Sequence, residues 1–153
     1  MQTEQITQRM ALMNGIAPQS LNNARLSSDG IDMLQSRRAM FVLSIGANAG
    51  SISAWLQESA DNSTWTANDT AGAFANSGAA NVSQTGLTTA SKIYTFEVNA
   101  SQMTTGKRYV RLQIKEVNSA AVLVGVVGFG DETEHKPNNA TQGANVATQN
   151  VVA

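Results

Sequence analysis

The chain has no cysteine, which excludes disulfides, thiolate metal sites and thiol nucleophiles. It has a single histidine, two prolines, 5% aromatic and 14% charged residues among 153, and a net charge of −1. So weak a field does not gather nucleic acid or anionic lipid. No apolar run reaches the length of a membrane span. The polar N-terminus, with Glu4, does not read as a secretory signal. These absences predict no nucleic-acid partner, no membrane partner, and synthesis in a cytoplasm.

Catalytic chemistry is equally thin. His135 lies in Asp131-Glu132-Thr133-Glu134-His135-Lys136-Pro137, a spacing that fits no zinc pattern and reads as a solvated charge run. No Gly-x-Ser-x-Gly elbow occurs. Glu58 with Asp61, and Asp29 with Asp32, are close only as turn residues are close. The run Gly125-Val126-Val127-Gly128-Phe129-Gly130 opens no helix that would hold a phosphate; its glycines suit close backbone approach or a bulge. The expectation is a non-enzyme without metal or cofactor.

What remains is a polar, Ala/Asn/Ser/Thr/Gly-rich chain with short apolar segments. Residues 1–25 read as an N-terminal arm and 132–153 as a C-terminal arm. Both are too sparse in apolar side chains to offset the entropy of ordering alone, so they are expected to take shape on neighbouring subunits. Gln5–Asn14 has the spacing of a short helix, with Ile6, Met10 and Met13 near one face, broken by Gly15 and Pro18. The apolar residues of the arms, Ile6, Met10, Met13 and Ile16 at one end and Val146, Val151 and Val152 at the other, are the candidate partner contacts.

Residues 26–131 read as one all-β domain. Met40–Ile45 is a short apolar run. Ile52, Ala54 and Leu56 share one face of the next segment, followed by turn chemistry at Asp61-Asn62-Ser63. Tyr94, Phe96 and Val98 alternate, and Val110, Leu112 and Ile114 oppose Arg111, Gln113 and Lys115 in the clearest period of two. Ala120–Phe129 is a long apolar strand. Between Asn68 and Ala90 a long loop is expected, with one edge strand anchored at Val82 or Leu87; Arg25–Leu34 offers another, anchored at Leu26 or Ile31. The total, six to eight antiparallel strands, predicts a β-sandwich or jelly roll.

Three segments resemble small virion proteins of tailed bacteriophages. They are Trp55-Leu56-Gln57-Glu58-Ser59-Ala60-Asp61-Asn62-Ser63-Thr64-Trp65, Lys107-Arg108-Tyr109-Val110-Arg111-Leu112, and the Gly-rich run Ala121–Gly130. The resemblance spans about Met33 to Gly130 and neither arm. It implies a β-sandwich of the capsid decoration or cement type on the virion exterior, bound to a major capsid protein and to copies of itself, with a trimer as the oligomer. Arg108 and Arg111, flanking Tyr109, are candidate subunit contacts or residues of a solvated face. In the alternative reading the chain is a fibre or tail accessory module binding a host glycan, with Trp55 as the stacking ring on a polar face shared with Ser51, Ser53 and Gln57. A tail or neck component is a third reading.

Overall fold

The computed structural model describes residues 10–65 and 83–131, without the side chains of 83–86. It is an all-β sandwich. Alternation sets the strands. β4 (Arg38–Asn48) buries Ala39, Phe41, Leu43 and Ile45, and β5 (Ile52–Ser59) buries Ile52, Ala54 and Leu56. From β7 (Lys92–Asn99) come Phe96 and Val98; from β8 (Tyr109–Glu116), Val110, Leu112 and Ile114; from β9 (Val122–Asp131), Val122, Val124 and Val126. These side chains meet in one core between the sheets. Phe41 and Phe96 lie directly opposite each other and are fully buried, each stabilising by roughly 1.5–3 kcal/mol through burial.

Four further strands complete the described body: β1 (Met10–Leu21), β2 (Arg25–Ser27), β3 (Ile31–Asp32) and β6 (Ser83–Leu87). One sheet has the order β1-β9-β4-β7; the other has β2-β8-β5-β6, with β3 also on β8. All pairings are antiparallel. With β2 and β3 taken as one interrupted strand, the chain is an antiparallel ribbon doubled on itself. β1 lies along β9, β2/β3 along β8, β4 along β7 and β5 along β6. Rolling that ribbon adds the pairs β4–β9 and β5–β8, which is jelly-roll winding. β6 is the edge strand expected between Asn68 and Ala90; Leu87 is buried, whereas Val82 lies outside the described residues.

Among the described residues the sandwich already includes Met10, sixteen positions before residue 26. Residues 10–21, expected as part of an arm and partly as a helix, form the outer strand of the first sheet. Ala11, Met13, Ile16 and Leu21 turn into the core. Two register shifts, between Leu12 and Asn14 and between Ile16 and Gln19, keep those side chains inward. They also erase the period of two. Pro18 sits inside the second shift, where an edge strand tolerates a missing N–H. Met13 and Ile16, at 3% and 6% exposure, are therefore core residues and not partner contacts. Met10 is half-buried at the end of the sheet, opposite Asp131. Ile6, Val146, Val151, Val152 and the expected C-terminal arm lie outside the described residues.

Two glutamates close the ends of the core on its inner face. Glu58 precedes the turn after β5, and its Oε1 accepts the Thr104 N–H at 3.0 Å. Glu116, at the far end of β8, accepts the N–H groups of Asn118 at 2.6 Å and Asn23 at 2.8 Å. Both carboxylates are at 0% exposure. Leu112 lies between these ends and is also fully buried. Leu112→Ala is expected to cost about 2–5 kcal/mol, read as a lower midpoint in chemical denaturation; an unchanged midpoint would show that β8 presents the wrong face inward.

Candidate functional site

The outer face of the second sheet carries the polar cluster that contains both arginines. It is built on the turn after β5. The Asp61 carboxylate accepts N–H groups from Thr64 at 2.7 Å and Ser63 at 2.9 Å, and the Ser59 hydroxyl at 2.9 Å. Those bonds, Thr64 first, hold its pKa well below the usual carboxylate range. The turn folds Trp65 back onto Ser59 as an isolated bridge, as its turn chemistry predicts. Trp65 then passes so close to Gly30 that a Cβ there would lie 2.9 Å from the indole Cη2. The Asn62 side chain lies closer still, so glycine at 30 lets the whole Asp61 turn, Trp65 included, close against β3.

Trp65 covers Arg111. The guanidinium carbon lies 4.2 Å from the indole centroid, a cation–π stack. Arg111 Nε donates to Gln57 Oε1 at 2.9 Å across the β5–β8 pair. Gln57 is 4% exposed. Desolvation lowers the Arg111 pKa from the ordinary arginine value. Arg108 behaves differently. Its Nε donates to Asp32 Oδ1 at 2.8 Å and its Nη2 to Asp32 Oδ2 at 2.5 Å, a bidentate pair that pins β3 to β8. Its guanidinium also lies 5.1 Å from the Tyr109 ring. Burial raises the Asp32 pKa, but the Arg108 bond, the Leu34 N–H and the arginine charge outweigh it, so the net shift is downward.

Trp55 is not a glycan platform. It is on this outer face, yet its exposure is 3% and its indole Nε1 is buried without a partner among the described residues. Polar neighbours in the sequence suggested exposure, but Gln57 and Ser59 beside it are buried too. Among the described residues no group of three or more His, Asp or Glu could hold a metal.

The outer face of the first sheet carries an apolar patch, bordered on β4 and β7 by exposed Ser44, Thr95 and Glu97, which the sequence reading did not bring out. Leu12, Phe129 and Met40 form one cross-strand row, and Val127 and Val42 the next. None of these five belongs to the inner core. Exposed Leu123 and Val127, at 43% and 40%, extend the patch along β9, and Ile93, 68% exposed, stands apart on β7 opposite Ser44. The available signal was the unbroken apolar character of Met40–Val42 and Val122–Val124, which alternation alone cannot produce.

Set against protein-family models, curated proteins and solved structures, the chain finds no match.

Asp32 and Glu116 both have pKa values lowered by folding, from ordinary values of 3.8 and 4.5. For Glu116 burial raises the value, but backbone N–H groups of Asn118, Asn23, Ala120 and Ser119 overcome it. A depressed folded pKa adds stability that is complete above the unfolded value and is lost as pH falls through the folded value. The thermal midpoint should therefore hold from neutral pH down to the ordinary carboxylate range and fall below it. Glu116→Gln should be less stable at neutral pH, and its deficit should shrink in acid. Differential scanning calorimetry across pH checks both; a deficit that grows on acidification contradicts the assigned sign.

Proposed function

We propose that the chain is a structural virion protein of the capsid decoration or cement type, bound on the shell exterior to the major capsid protein and to copies of itself, with a trimer as the oligomer. The observation that carries this reading is the apolar patch on the outer face of the first sheet. Contiguous exposed apolar surface on a folded domain marks an interaction site. A second copy of the chain is the occupant argued for. An uncharged apolar patch on a sheet suits sheet-on-sheet packing, which needs no cleft and no complementary charge. Jelly-roll winding supports the reading only loosely, since capsid proteins and lectins share it. The glycan alternative loses its stacking ring with the burial of Trp55.

The mechanism would be association free energy alone. Many weak contacts repeated around a closed shell add by avidity, and each must break before the shell opens.

Light scattering after size-exclusion chromatography tests the contact. The full chain is expected to run as an oligomer, and Val127→Lys as a monomer with its thermal midpoint little changed, because Val127 is already 40% exposed. A monomeric wild type at high micromolar concentration overturns the contact. Immunogold labelling of virus particles from cells carrying the gene tests the location. Gold on the head is expected; gold on the tail favours the tail or neck reading, and unlabelled particles overturn the virion assignment.

A further inference from the structure

We propose that Arg111 is a preorganised receptor for a carboxylate from outside the described body, supplied by an Asp or Glu side chain of a neighbouring copy. The identity of the donor rests on the assembly reading above; the receptor itself does not.

Arg111 is a partly buried guanidinium with no ion pair among the described residues. Arg108, three positions earlier, has Asp32 on both prongs of its fork; Arg111 has a neutral amide on one nitrogen. Arginine carries five N–H donors, so the bond to Gln57 leaves the two Nη groups without an acceptor among the described residues. Desolvation lowers its pKa, and no carboxylate among the described residues offsets that. A cation held out of water in this way gains most from an anion that arrives later.

The fork is also held still. Gln57 is buried and fixes Nε. Trp65 lies against the guanidinium, and the Asp61 turn together with Gly30 sets where Trp65 can be. A planar, immobilised fork with free Nη groups is the geometry that carboxylates bind bidentately. Arg, Trp and Tyr in a partly desolvated cluster are also the residue types that dominate protein interfaces. A sugar fits less well, because the rings nearby are engaged. Trp65 stacks on Arg111, Tyr109 lies beside Arg108, and Trp55 is buried.

The test is NMR of the full-length ¹⁵N-labelled chain, following the Arg111 Nε–H and the Trp65 indole N–H at constant ionic strength. The probes are sodium acetate against sodium chloride, an acetylated and amidated Gly-Asp-Gly peptide, and glucuronate. Acetate and the peptide should shift both resonances saturably while chloride does not. Arg111→Gln should weaken binding by roughly tenfold or more, as loss of a charged hydrogen-bond pair does. Arg111→Lys should weaken it too, since the charge stays but the fork goes. Arg108→Gln should leave it intact. Equal shifts with chloride and acetate overturn the receptor. If Arg111→Gln does not fold, the site-specific shifts of the wild type decide alone. Glucuronate binding roughly tenfold tighter than the peptide overturns the protein donor in favour of an acidic saccharide. The Val127→Lys variant separates this from the assembly reading, because as a monomer it should still bind acetate.

Discussion

Glu116 is the side chain on which one end of the sandwich depends. A buried carboxylate destabilises a fold unless its oxygens are filled by donors. Here they receive N–H groups from Asn23, Asn118, Ser119 and Ala120. Asn23 lies where the chain crosses from β1 to β2, and Asn118–Ala120 lie where it crosses from β8 to β9. The third crossing at this end, from β4 to β5, passes through Gly50, where a Cβ would lie 2.7 Å from the same carboxylate. One charge therefore sets the spacing of three connections between the sheets. Asn23 and Ser119 take left-handed backbone angles, with φ of 45° and 55°, and so aim their amides inward.

With its ends fixed in this way, the sandwich presents two unlike surfaces. The first sheet shows water an apolar patch of Leu, Met, Val and Phe, bordered by polar residues. The second shows arginines, glutamines and indoles, several of them buried on what is formally an outer face. The contrast separates the two kinds of contact proposed for the molecule. Apolar area supplies association with little directional preference. A fixed guanidinium supplies orientation, because it rewards one placement of an incoming carboxylate over others.

Much of the architecture was legible. β8, β5 and β7 declare themselves because one face of each meets the core and the other mostly carries polar residues, so period two survives in the residue order. The Asp61 turn was equally plain, since its chemistry is local. β1 was hidden. Its two bulges break the alternation, and Gly15 and Pro18 read as terminators although an edge strand holds both. Trp55 had two readings, an exposed ring in the glycan alternative or a ring covered by its surroundings, and burial decides for the second, because polar neighbours imply solvent only when nothing covers them. The Trp65–Arg111 stack and the Arg108–Asp32 pair join residues 46 and 76 positions apart, and no single-sequence pattern encodes such distances. The arginines could be singled out; which of them was already neutralised could not.

The doubled ribbon also dictates an order of events during synthesis. β9 is the last strand of the described body to leave the ribosome, yet it lies between β1 and β4 in the first sheet. Until it emerges, those two strands have no common neighbour, and β1 is an unpaired apolar strand attached to a growing chain. Nested long-range pairing of this kind is slow to form and exposes sticky intermediates. A nascent chain stalled before residue 122 thus leaves the β1 partner and one edge of β4 open, however stable the finished protein.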